Sequence, residues 1–175
     1  MMRFSRRVRP TRRGDFELRL AEWERDALRE LPAELRSLMA QDDPALDRLF
    51  PPAYPDDPLE DAEYRSLTSE DLKAQKLSSL QVMESTVDAA LLDEGQMVAW
   101  LGAVNDLRLV LGTRLEVTED MDPEPFAPAD PRARSHALYQ YLTFLQDQIV
   151  EALAEGVDPA GTRPDDEEPP WLPED

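Results

Sequence analysis

From Gln96 to Leu115 the chain carries a helical pattern that interrupts itself. At helical spacing Met97, Leu101, Val104, Leu111 and Leu115 share one face, and Arg108 falls in their middle. Asn105 lies one turn before Arg108 on the flank of that face, and Gly112 follows one turn later. A guanidinium on a core face is costly unless it is paired and hydrogen-bonded. Any fold built around this helix must therefore receive Arg108, for structural or for functional reasons.

The preceding helical stretch, about residues 69–92, supplies candidate partners. The short Asp93–Gly95 connection makes the two helices antiparallel neighbours. Counted back from that turn, position 84 lies roughly level with position 104. Glu84 sits at the edge of its apolar face and Asp88 further round. The spacing predicts an Arg108–Glu84 interaction, with Asn105 adding a hydrogen bond. Glu84 and Asp88, one turn apart, resemble a paired-carboxylate site, but pairing with Arg108 is the better account.

The remaining pattern predicts a mainly α fold, a bundle of three long and several short helices with a small N-terminal β-hairpin at about residues 3–20. Residues 1–155 read as a single domain, a length that can bury a proper core. Phe4 and Val8, then Phe16, Leu18 and Leu20, alternate with polar positions around Pro10–Gly14, which is hairpin patterning. An amphipathic helix from about Ala21 carries Trp23, Ala27, Leu28 and Leu31 inward; Pro32 stops or kinks it, and it resumes to about residue 40. Asp43-Pro44 opens a short helix to about Phe50, and Asp57-Pro58 a second capped start. Thr68 or Ser69 caps the 69–92 helix, whose inner face is Leu72, Leu80, Met83, Val87 and Ala90, with Lys76 snorkelling at its edge. A proline-broken loop spans 116–129. Asp130-Pro131 then caps a last helix with Leu138, Tyr141, Leu142, Leu145, Ile149 and Leu153 inward. Residues 156–175 are rich in proline and acid, which predicts a disordered tail; its Trp171-Leu172 pair is read as an incidental apolar spot.

Charge narrows the possible partners. The net charge is −19, yet residues 1–19 carry seven arginines against Asp15 and Glu17, so the rest is more acidic still. Arg3, Arg6, Arg7, Arg9, Arg12 and Arg13 would line one face of the hairpin. They could form a phosphate-binding arm, but an acidic body repels a nucleic-acid backbone. No aromatics for base stacking interleave with them. The hairpin is therefore expected to be held by the acidic body, and direct nucleic-acid binding is the lesser reading.

Chemistry is excluded more readily than assigned. With no cysteine, disulfides, zinc–thiolate sites and thiol catalysis are absent. One histidine, His136, rules out zincin and di-iron helix motifs, and it reads as a surface or core-edge residue. The six glycines form neither a phosphate loop nor a dinucleotide fingerprint. No catalytic residues, cofactor or metal are expected, and no enzyme. No apolar run reaches the roughly 20 residues of a transmembrane helix, so cytoplasmic residence is expected. The excess of arginine over lysine points to a GC-rich coding genome.

Three blocks carry a family resemblance. They are Glu63-Tyr64-Arg65-Ser66-Leu67, the stretch from Leu72 to Met83-Glu84-Ser85-Thr86, and Trp100 to Leu115, the last being the specific one. Over about residues 3–155 the chain resembles an actinobacterial family of unknown function, some of whose members carry the name AosR, oxidative-stress transcriptional regulator. The resemblance implies a regulator that associates with a sigma factor and switches through a closely spaced cysteine pair. This chain has no cysteine, so that switch transfers to no position. What the resemblance leaves is a stress-linked regulatory module acting through a protein partner. The alternatives are a DNA-binding regulator using the arginine hairpin and an enzyme with a polar pocket at Glu84, Asn105 and Arg108.

Overall fold

The self-interrupting helix is the central element of the fold. The computed structural model describes residues 6–117 and 129–156. In chain order it contains strands β1 (Val8–Pro10) and β2 (Phe16–Leu18) and helix α1 (Glu22–Gln41). A 3-10 turn at Pro44–Leu46 leads to helix α2 (Pro58–Thr86), strand β3 (Leu91–Leu92), helix α3 (Glu94–Arg114) and helix α4 (Ala133–Gly156). Helix α3 is sheathed on most sides by α2 and α4, with α1 touching it more lightly. Trp100, Met97, Ala103 and Val104 of α3 meet Leu80 and Met83 of α2, Leu28 and Leu35 of α1, and Leu142, Leu145 and Ile149 of α4 in one core. The mainly α bundle with its N-terminal hairpin is thus the observed architecture.

Local signals account for most of the helix starts. The Asp93 carboxylate accepts from the N–H of Gln96, whose side chain accepts from the N–H of Asp93, closing a capping box at the start of α3. Asp57 accepts from the N–H groups of Leu59 and Glu60, with Pro58 at the first position of α2. In the hairpin Gly14 adopts φ 88°, a conformation that only glycine takes without strain. The strands pair antiparallel, Val8 with Leu18 and Pro10 with Phe16, placing Val8, Phe16 and Leu18 in the core.

Several expectations are corrected. Helix α1 does not stop at Pro32, which is buried within it. Trp23, expected inward, is 57% exposed and stacks obliquely on Tyr141. The segment from Pro58 to Thr86 is one helix of 29 residues, not two. Thr68 does not cap: its hydroxyl turns back to donate to the carbonyl of Tyr64, one turn earlier. The expected helix to residue 92 ends at Thr86, and Leu91–Leu92 instead pairs antiparallel with β2, Phe16 opposite Leu92, to make a three-stranded sheet. Leu72 and Ala90, expected inward, are exposed. Among the described residues the bundle has four long helices rather than three. Most of the proline-broken loop and the acidic tail with Trp171-Leu172 lie outside the described residues.

Candidate functional site

Glu84 does not meet Arg108. Its carboxylate forms a two-pronged pair with the Arg36 guanidinium of α1, both side chains being about one-third exposed. Asp88 likewise pairs with Arg29 of α1, and Arg25 donates to the carbonyl of Val87. Arg25, Arg29 and Arg36 form one stripe on α1, and the end of α2 is clamped along it. That stripe, at spacings of four and seven, was the available sequence signal for the pairing.

The failure of the predicted pair has a geometric cause. Lys76 meets Asp106, Ser79 abuts Gly102, and Thr86 meets Trp100. These contacts place Glu84 near the start of α3, about two turns from the level of Arg108. The antiparallel counting assumed that α2 ran up to Asp93. Its early end and the intervening β3 shift the register. Arg108 is half-buried, and its Nε is buried without an acceptor among the described residues.

The polar cluster that the bundle does build is centred two residues earlier. Asp106 is 4% exposed and accepts from Lys76 Nζ at 2.9 Å, and the Asn105 side chain also hydrogen-bonds it. Gln146 Nε2 of α4 donates to Asn105 Oδ1 at 3.4 Å. Burial pushes the Asp106 carboxyl above the usual carboxylate range, and the Lys76 ammonium pulls it back. Lys76 also lies 5.9 Å from the centre of the Phe50 ring. Lys76 is therefore an ion-pair partner, not a snorkelling edge residue, and Asn105 serves Asp106 rather than Arg108. Asp106 was missed because its side chain lies off the apolar stripe that drew attention to Arg108.

The hairpin arginines divide into two groups. Arg6 bridges to Glu155 at 2.7 Å, and Arg7 Nε donates to Glu24 Oε1 at 2.8 Å. Glu24 is fully buried and also accepts from the N–H of Ala21. Tyr141 borders the same carboxylate, and burial with that charge beside it raises its phenol well above the ordinary value. The acidic body thus holds Arg6 and Arg7. Arg9, Arg12 and Arg13 are exposed; Arg3 lies outside the described residues.

Among the described residues the surface has at least two grooves. One, of about 390 Å³, lies between the end of α1, the 3-10 turn and the first half of α2. The other, of about 1190 Å³, lies between α1 and the ends of α3 and α4, with Asp26, Glu30 and Glu34 on one wall and Arg114, Arg132 and Arg134 on the other. Glu84, Asp88, Asn105 and Arg108 line neither. Among the described residues no group of three or more His, Cys, Asp or Glu side chains could hold a metal ion. No helix there is long and apolar enough to cross a membrane.

The fold defines a helical-bundle protein whose helices are tied together by the Arg36–Glu84, Arg29–Asp88 and Lys76–Asp106 pairs. The chain belongs to the family described as Domain of unknown function (DUF2017), whose model matches residues 2–153. It is 35% identical to the oxidative stress regulator AosR of Mycobacterium tuberculosis over 128 residues, covering 63% of this chain and 58% of that protein. The same figures hold for the AosR of Mycobacterium bovis. An AosR-named protein of Mycobacterium leprae is 36% identical over 129 residues, covering 64% of this chain and 59% of its own. The chain thus spans less than two thirds of the length of these relatives. No solved structure matches it.

Proposed function

We propose that this protein is a stress-linked regulator that acts by binding a protein partner, without thiol switching and without catalysis. The observation that carries the reading is the likeness to proteins named oxidative stress regulator AosR, joined to membership of their family. The cysteine-free sequence removes thiol chemistry as the signal. The net charge of −19 favours a protein partner over a nucleic-acid backbone. The ion pairs that engage Arg6 and Arg7 leave fewer cations for phosphate.

The test is a deletion strain of the native host and its complemented counterpart, profiled for transcripts before and after peroxide. The expected result is an altered oxidant response that the cysteine-free chain restores. An unchanged profile in the deletion strain overturns the regulatory reading. Retardation of labelled DNA by the purified chain, lost as salt rises, would instead support the hairpin as a direct DNA reader.

A further inference from the structure

The first half of α2 stands away from the bundle. From Pro58 to Gln75 nearly every residue is exposed or half-exposed, and full burial begins only at Leu80. This arm keeps apolar side chains in solvent: Leu59 is 85% exposed, Leu67 75%, Tyr64 45% and Leu72 38%. The contacts that hold it lie on one side. Asp61 accepts from the N–H groups of Ala53 and Tyr54, Arg65 donates to the carbonyl of Phe50, and the Tyr54 and Tyr64 rings meet edge to face. Helices in water draw most of their stability from packing, and the outer side of this arm packs on nothing among the described residues.

The chemistry of that outer side is specific. At helical spacing Leu59, Glu60, Glu63, Leu67, Glu70 and Asp71 occupy about one third of the circumference. None of its four carboxylates has an ion-pair partner among the described residues; Arg65 and Lys76 project from the opposite arc, and Lys73, at the edge beside Glu70, donates instead to the carbonyl of Met39. The surface therefore combines two aliphatic anchors with uncompensated negative charge. A second copy in isologous pairing would set these carboxylates against one another. Two parts of this chain outside the described residues fit no better: 118–128 carries Glu119, Asp120, Asp122 and Glu124 with no cation, and 157–175 is acidic apart from Arg163; residues 1–5, with Arg3 and Phe4, are too short to cover Leu59 and Leu67 as a helix.

We propose that the projecting half of α2 is the docking surface for a protein partner that presents a cationic amphipathic helix. Its aliphatic side chains would cover Leu59 and Leu67, and its Arg or Lys side chains would lie opposite Glu60, Glu63, Glu70 and Asp71. Helix-against-helix docking uses such anchors at one-turn and two-turn spacing. The like-charge penalty excludes acidic competitors. This proposal rests on the partner-binding reading above and names the surface and the partner's chemistry.

A photo-crosslinking residue placed at Leu67 of the full chain in its native host, with another at Arg12 as reference, tests it. The expected product joins position 67 to a segment of another protein with aliphatic residues at helical spacing and an excess of Arg and Lys. Its yield should fall about tenfold in Glu60→Lys/Glu63→Lys. Crosslinks into a second copy, into this chain's own tail, or into a neutral or acidic segment overturn the proposal. A partner crosslinked at position 12 but not at 67 overturns it while leaving the partner-binding reading intact; no crosslink at either position removes both. In solution, a labelled leucine–arginine amphipathic peptide should bind the wild-type chain about tenfold more tightly than Leu59→Ser/Leu67→Ser. That double variant keeps every charge, and its sites are too exposed to carry the fold. Equal affinity would mean that only diffuse charge attracts the peptide, and would overturn the proposal.

Discussion

Arg108 and Lys76 show how much a single charge depends on what lies opposite it. The buried Nε of Arg108 has no acceptor among the described residues, so its desolvation is not offset. Arg108→Met keeps the length of the apolar stem and removes that cost. It is expected to unfold at the same urea concentration as wild type or later, by up to about 1 kcal/mol. A lower midpoint would show that the guanidinium is satisfied in solution. Lys76 is the opposite case, because Asp106 is buried against it. Lys76→Met leaves that carboxylate uncompensated and is expected to cost about 3 kcal/mol near neutral pH. The sign with pH follows from the raised Asp106 value. A carboxyl held above its unfolded value contributes stability at low pH and loses it as pH rises through the folded value. Without Lys76 the folded value climbs further, so the deficit should shrink on acidification toward the carboxylate range, as paired urea titrations would read.

Elements whose signals are local were legible in the sequence. The Asp57 cap, the Gly14 turn and the alternation of Val8, Phe16 and Leu18 each act within a few residues, and the structure has all of them. Helix α3 was legible because its apolar run is long. Strand β3 was not, since Leu91 and Leu92 are too few to display a period and follow a helical pattern without a breaker. Nor was the continuity of α1 through Pro32, which depends on burial from other elements. The partners of Glu84 and Asp88 were hidden because cross-helix register depends on where α2 ends. The join between hairpin and bundle is testable in the same terms. Arg7→Ala leaves the fully buried Glu24 without its guanidinium and is expected to cost about 3 kcal/mol. Hydrogen exchange should show the amides of β1 and β2 losing protection first.

The molecule as a whole carries −19 charges, with Arg6 and Arg7 of the basic segment paired to Glu155 and Glu24 of the helices. Short-range pairs of this kind persist in salt, while the long-range repulsion among the remaining carboxylates is screened beyond about 8 Å at physiological ionic strength. Thermal stability is therefore expected to rise from low salt to about 0.15 M, where a protein held mainly by exposed ion pairs would weaken. Differential scanning calorimetry at the two ionic strengths distinguishes these outcomes. The same charge distribution leaves the acidic arm of α2 and the exposed Arg9, Arg12 and Arg13 of the hairpin as two surfaces of opposite sign.

The short strand β3 also sets an order of events during synthesis. Phe16 pairs with Leu92, so the hairpin leaves the ribosome long before the strand that completes its sheet. At about 5–20 residues per second the interval is several seconds. Throughout it β2 lacks β3, and Val8, Phe16 and Leu18 lack the later helices that cover them. The nascent hairpin thus waits with the β2 edge unpaired, an edge that the finished protein closes with β3.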